Sequence, residues 1–259
     1  MTEAKIRKPA VAGSFYPEDP KELRKMIEGF MAMAKEISLD GKLKAIVVPH
    51  AGYVYSGPVA AYGYKALSKC KFEKAVILGP SHYASFPGAC ESGFDLWETP
   101  LGRLKAKSAS DGIISVFPPA HEPEHCLEVQ LPFLQVIFGD KLEIWPLLCG
   151  DVDPKKLADR IVGEIDPDTV IIASSDLSHY LPYDEALKVD EHANMYVPKI
   201  DIGGFEQEGD ACGKTAILTL MHIAKKKKWK GIMLDYRNSG DTAGPKDSVV
   251  GYGCYAFYK

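Results

Sequence analysis

A chain of 259 residues, 46% of them hydrophobic, is long enough to bury a full core without disulfide or metal staples. A formal net charge of −4 and a pI of about 6.0 exclude the basic field that nucleic acid or an anionic membrane surface would need. Six scattered cysteines without a CxxC pair exclude a zinc ribbon or thioredoxin-like motif and fit a reducing, cytoplasmic setting.

In chain order, the first twenty residues lack the apolar core of a signal peptide. Asp19 and Pro20 then read as cap and first residue of a helix whose apolar face is Leu23, Met26, Ile27 and Phe30. "LKAIVVP" (43–49) is a short β-rich run. It is followed by "HAGYVYS", a glycine- and tyrosine-rich loop, and by a helix in "GPVAAYGYKALSKC". "KAVILGP" (74–80) is a second strand of the same kind, and 88–110 reads as irregular or antiparallel. "PEHCLEVQLPFLQVIFG" reads as one helix opened by Pro123 and Glu124 and closed by Gly139. Next come a strand at 141–148, a helix capped by Asp153, and a strand at 169–175. "YDEALKVDEHANMYV" is helical, "DIGGFEQEGD" a polar loop, and "CGKTAILTLMHIAKKKK" a helix whose lysine run suits its C-terminus. Two strands close the chain. No run of about 18 apolar residues occurs, so no membrane span is expected.

Near-continuous apolar strands alternating with helices predict an α/β fold: one domain over 1–259, with a mostly parallel central sheet flanked by helices.

Three of these strands run out into a histidine. "VVP" ends at His50, "VILGPS" at His82, and "IIASSDLS" at His179. Ligand crevices in open parallel sheets lie beyond the carboxyl ends of the strands, so the three imidazoles are expected on one rim. Two imidazoles plus a carboxylate are a ligand set for non-haem iron, and the same donors suit zinc. Asp176, three residues before His179, is placed to hydrogen-bond it and raise its basicity, making His179 a candidate acid/base. His125 and Glu128 share one helix face by their spacing, off the leucine stripe, as a pocket pair or an ordinary helix pair. His121 precedes them, whereas His192 and His222 sit inside helices as structural or solvated residues. Tyr53 and Tyr55 offer hydroxyls to line a pocket beside His50. Ser174, Ser175 and Ser178 lack the GxSxG elbow of a hydrolase, and no glycine loop fits a nucleotide fingerprint, so no nucleotide cofactor is expected.

"PHAGYVYSGPVAA", "GPSH", "EHCLEVQLPFL", "SSDLSHY", "ACGKTAI" and "YRNSGD…DSVVGYG" follow one another in the order seen in the Memo family, which the chain resembles from "RKPAVAGSFYP" to its last strand. Memo proteins resemble class III extradiol ring-cleaving dioxygenases, whose iron is held by two histidines and a carboxylate with another histidine as acid/base. The resemblance implies the fold of that catalytic subunit. It also implies His50 and His82 as metal ligands and Asp176 and His179 in the same pocket. Vertebrate members carry a further cysteine ligand where this chain has Thr242, so the third ligand is open. Asp176 and Asp241 are the candidates, with Asp247, Cys212 and Cys254 behind them. Cys212 opens a helix, where the dipole would favour its thiolate.

The expected function is a non-haem metal-dependent redox enzyme using Fe(II), with copper or zinc as alternatives, on a small-molecule or peptide substrate. The competing reading is a non-catalytic binding or scaffold protein that uses the same pocket for peptide or protein recognition. The resemblance also implies partner proteins of a radical-SAM system.

Overall fold

The computed structural model describes residues 3–259; Met1 and Thr2, included in the domain expected over 1–259, lie outside the described residues. The chain begins with the two-residue strand β1 (Ile6–Arg7) and turns into α1 (Pro20–Met33). The Asp19 carboxylate caps α1 by accepting the N–H groups of Lys21 and Glu22, as expected. Then follow β2 (Leu43–Val48), α2 (Tyr53–Leu67), β3 (Lys74–Pro80), β4 (Ala89–Glu91), β5 (Leu96–Thr99), β6 (Gly102–Ala106), β7 (Ile114–Val116) and α3 (Pro118–His121). A 3-10 turn at Glu128–Gln130 leads into α4 (Leu131–Phe138), then β8 (Glu143–Cys149), α5 (Pro154–Val162), β9 (Thr169–Ser174) and β10 (His179–Leu181). The chain closes with α6 (Tyr183–Lys199), α7 (Ile202–Glu208), α8 (Lys214–Lys227), β11 (Lys230–Asn238), α9 (Ser239–Thr242) and β12 (Val249–Tyr258).

These strands form one mixed sheet. Its centre, in the order β6-β8-β3-β9-β2, is parallel. Antiparallel strands extend it, β5 beside β6 on one side and β12 beside β2 on the other. The apolar runs divide by pleat parity. Ile46, Val48, Ile77, Ile144 and Ile172 face a core roofed by α1, α2 and α4. Ala45, Val47, Val76, Trp145 and Ile171 face a second core under α5, α6, α7 and α8. Burial on both faces is why these strands carry no polar alternation.

Three expectations change. α2 begins at Tyr53, four residues earlier than the sequence suggests, so Tyr53 and Tyr55 are helical and not in a loop. The helix expected from Pro123 begins only at Leu131, because Arg7 and Ser174, from elsewhere in the chain, claim the carbonyls of Glu124 and Cys126. Residues 202–208 are a helix and not a polar loop: Asp201 caps it through the Gly204 N–H, and Gly204 packs so tightly on Tyr196 that a β-carbon would overlap the ring.

Candidate metal centre

β3, β9 and β2 are adjacent and parallel, so their carboxyl ends finish side by side. They deliver His82, Asp176 and His50 to one edge of the sheet. The segment between α3 and α4 crosses that edge and adds His125. The His50 and His82 rings lie 5.3 Å apart, His50 and His125 5.5 Å, and His82 stacks on His125 at 4.9 Å with 19° between planes. One ring nitrogen from each of the three lies within 4.8 Å of the others. Nitrogens held at about 2.1 Å by one ion stand no more than about 4.2 Å apart, so small side-chain rotations close the triangle.

Hydrogen bonding fixes which nitrogens face the cluster. The Ser174 hydroxyl donates to the Cys126 carbonyl at 2.6 Å and accepts from Gln130 Nε2 at 2.8 Å. Its proton is therefore committed, and His50 Nδ1, 3.0 Å away, must be the donor to Ser174 Oγ. That leaves His50 Nε2 with its lone pair, toward which the Cys212 thiol points at 3.2 Å. His82 Nδ1 lies 2.9 Å from Glu124 Oε1, an acceptor only, so in the neutral ring the proton sits on Nδ1 and Nε2 carries the lone pair. His125 Nδ1 is buried and makes no hydrogen bond, though Glu124 Oε1 lies 3.3 Å from it.

Electrostatics agree with neutral rings at two of the three positions. Burial, and then the charge of His82, push His50 down to about 3. Burial, and then the charge of His50, push His125 down to about 4. His82 moves the other way: burial opposes its charged form, but the hydrogen bond and charge of Glu124 outweigh it. Burial raises the Asp176 carboxyl, against the N–H of His50 and the charges of His179 and His125.

Asp176 is buried, accepts the His50 backbone N–H at 2.8 Å, and holds Oδ2 3.9 Å from His50 Nε2. Its partner is thus His50; among the described residues it makes no hydrogen bond to His179, contrary to expectation. His179 is half-buried on β10, near enough for its charge to depress His50 and to oppose the rise at Asp176. Four candidates lie away from the cluster. Glu128 is fully buried against Arg7, Tyr16 and the N–H groups of Ala10 and Val11, so the pair expected with His125 is split between the cluster and the core. The premature helix assignment explains that error. Tyr53 is buried and its hydroxyl donates to the Val129 carbonyl at 2.6 Å, which removes it from the pocket. Asp241 closes a capping box on α9 and accepts from Tyr183 at 2.7 Å, so it is not a third ligand. His121 is buried against Cys90. Tyr55 is exposed near the rim, three residues past the Gly52 that caps α2.

The sequence reading missed Glu124, Ser174 as a partner of His50, and the placement of Cys212. Cys212 Sγ lies 3.2 Å from His50 Nε2, but burial and then the Asp176 charge push its thiol up to about 12. It is a thiol and not the helix-favoured thiolate expected. A second grouping, His82, Glu124 and Cys126, is poorly suited to an ion. Glu124 is spent on N–H donors, and Cys126 is fully buried and donates to the Pro80 carbonyl.

The turn carrying Asp176 and His179 is braced from below. Asp190 on α6 accepts the Ser178 N–H at 2.9 Å and the Tyr236 hydroxyl at 2.7 Å, and a β-carbon at Gly251 would overlap its Oδ2. Gly251→Ala is therefore expected to cost about 1–3 kcal/mol, read as a lower urea midpoint at unchanged slope. An unchanged midpoint would show that Asp190 has room to retreat.

Together these features define an α/β protein with a histidine cluster, competent to hold a metal, at the carboxyl edge of a parallel sheet. The chain belongs to the Memo family: the family profile described as Memo-like protein matches residues 7–256. A MEMO1 family protein of Saccharolobus solfataricus is 40% identical, covering 95% of this chain and 97% of its own. One of Thermoplasma volcanium is 39% identical, covering 95% and 96%. An uncharacterized Escherichia coli protein of known crystal structure is similar in fold alone, with a TM-score of 0.52, 10% identity, and coverage of 83% of this chain and 99% of that one. No helix among the described residues is long and apolar enough to cross a membrane.

Proposed function

We propose that this Memo-family protein is a non-haem metal-dependent redox enzyme, with His50, His82 and His125 holding one ion, Fe(II) in the leading case and copper or zinc as alternatives. The observation that carries this reading is the tautomer assignment. Two unrelated acceptors, Ser174 and Glu124, each take an Nδ1–H, so the Nε2 lone pairs of His50 and His82 turn toward the His125 ring, and an ion would displace only the weak Cys212 thiol donor from His50. His125 takes the place of the third ligand sought at Asp176 or Asp241. A ferrous ion in such a site supplies one-electron chemistry and Lewis acidity at its open positions. This chain's residues then hold and move protons: His179 on its half-buried imidazole, with the Asp176 carboxylate fixing the His50 main chain and countering charge. A groove of 520 Å³ lined by Ser81, Ser85, Phe86 and Asp151 adjoins His82 and gives a small-molecule or peptide substrate room.

Anaerobically loaded protein is expected to bind about one iron per chain. His50→Ala and His82→Ala should each abolish that stoichiometry in a metal analysis. Unchanged stoichiometry in both variants would end the assignment.

One observation favours recognition without turnover: three tyrosines near the site, Tyr55, Tyr83 and Tyr180, are 40%, 59% and 76% exposed. Oxygen uptake by the iron-loaded protein over a panel of catechols and thiols separates the readings. Uptake that disappears in His179→Ala supports the enzyme, and silence together with peptide binding at this rim supports the scaffold.

A further inference from the structure

Glu124 is the most heavily engaged carboxylate near the cluster. It is completely buried. Oε1 accepts the His82 ring Nδ1–H at 2.9 Å, the His125 N–H at 2.9 Å and the Cys126 N–H at 3.1 Å. Oε2 accepts the His82 backbone N–H at 2.7 Å. The three main-chain donors lock the carboxylate plane; of the two nearby rings, His82 makes the hydrogen bond and His125 Nδ1 stands 3.3 Å from Oε1 without forming one.

We infer that Glu124 is a positioning residue that holds His82 in its Nδ1–H tautomer with Nε2 toward His50 and His125, and thereby sets the metal affinity of the site. This rests on the metal-centre reading above. A neutral ring carries one proton, and a free histidine has little reason to keep it on Nδ1. A buried carboxylate that can only accept supplies that reason. Orientation follows as well, because the His82 ring is held from both its side chain and its own main chain by the same carboxylate, closing a ring of two hydrogen bonds. The His82 side chain is otherwise 30% exposed and would sample other rotamers. Such outer carboxylates typically change metal affinity about 10–100-fold. The segment that carries Glu124 is itself fixed, because Arg7 donates to the carbonyls of His121 and Glu124.

The test uses the full chain, freed of metal by chelation, in alkaline buffer where the rings are neutral. Nitrogen-15 NMR of the imidazoles should show wild-type His82 protonated at Nδ1. Glu124→Ala should move the proton to Nε2, and Co(II) titration should show affinity lower by about 10–100-fold. Glu124→Gln, nearly isosteric, should fall between the two and serves if the alanine variant fails to fold. Wild-type His82 protonated at Nε2 would overturn the inference. So would a folded variant, alanine or glutamine, that keeps both the Nδ1–H tautomer and wild-type Co(II) affinity, or one that shifts the tautomer without weakening Co(II). If wild type itself binds no Co(II), the metal-centre reading fails and the tautomer comparison alone decides the role of Glu124.

Discussion

Glu128→Ala should destabilise the chain by about 3–5 kcal/mol, because it strands a buried guanidinium. Arg7 is 1% exposed and Glu128 is fully buried. The Arg7 guanidinium pairs with Glu128, donates to the carbonyls of His121 (3.1 Å) and Glu124 (2.5 Å), and lies 4.6 Å over the Trp97 ring. Glu128 in turn accepts the N–H groups of Ala10 (2.7 Å) and Val11 (3.1 Å) and the Tyr16 hydroxyl. Removing the carboxylate leaves one charge without its counter-ion and three donors without an acceptor, a loss comparable to much of a domain's stability. A double-mutant cycle with Arg7→Met separates these effects: the double variant should be clearly more stable than the sum of the single changes. Urea denaturation measures both, and a Glu128→Ala cost below about 1 kcal/mol would refute the account. The same clamp ties the N-terminal strand to the segment bearing Glu124 and His125. Metal binding should therefore weaken in Glu128→Ala even though Glu128 never faces the cluster.

Acid should destabilise the chelator-treated protein from about pH 6.5, above the range in which ordinary carboxylates titrate. Burial holds His50 and His121 down to about 3 and His125 to about 4, against 6.5 for the exposed ring. Below pH 6.5 the unfolded chain takes up protons at these three positions and the folded chain does not. Their contribution is complete above pH 6.5 and is lost as pH falls toward 4. Each ring costs about 1.4 kcal/mol per pH unit once its unfolded form is protonated, so the three together cost about 4 kcal/mol per unit. His82 has the opposite sign: its stabilisation is complete below 6.5 and is lost as pH rises through its raised folded value, so it adds no slope in the acid window. Asp176 and Asp190, both raised by burial, bind a proton earlier in the folded state and oppose the loss at the acid end. The urea midpoint should therefore fall steeply from about pH 6.5 to 4.5, and His125→Phe, which keeps the packing against Phe15, should reduce the slope by about one proton. A midpoint constant across that window would show that these rings are not buried neutral.

Local rules sufficed for much of the scaffold. β2, β3, β8 and β9 were legible because strands buried on both faces must be apolar throughout, and Asp19 and Asp153 announce their helices because a cap acts within three residues. The nearness of His50 and His82 was legible for a similar reason: parallel strands of one sheet end at the same edge, and β2 and β3 flank β9.

What the sequence determined by itself is the set of elements and the rim to which they deliver their histidines, since both follow from burial and periodicity within each segment. What only the tertiary structure decided is the partner of each polar group. Glu124 and His125 lie next to each other in sequence, and Glu128 is close by; yet Glu124 orients His82, His125 joins the cluster, and Glu128 turns to Arg7, 121 residues away. The helix expected from Pro123 is deferred because Arg7 claims the Glu124 carbonyl and the Ser174 hydroxyl claims that of Cys126, the acceptors that the N–H groups of Glu128 and Gln130 would need in a helix. A backbone group spent on a distant side chain cannot also serve a helix, and no pattern within the segment records that competition.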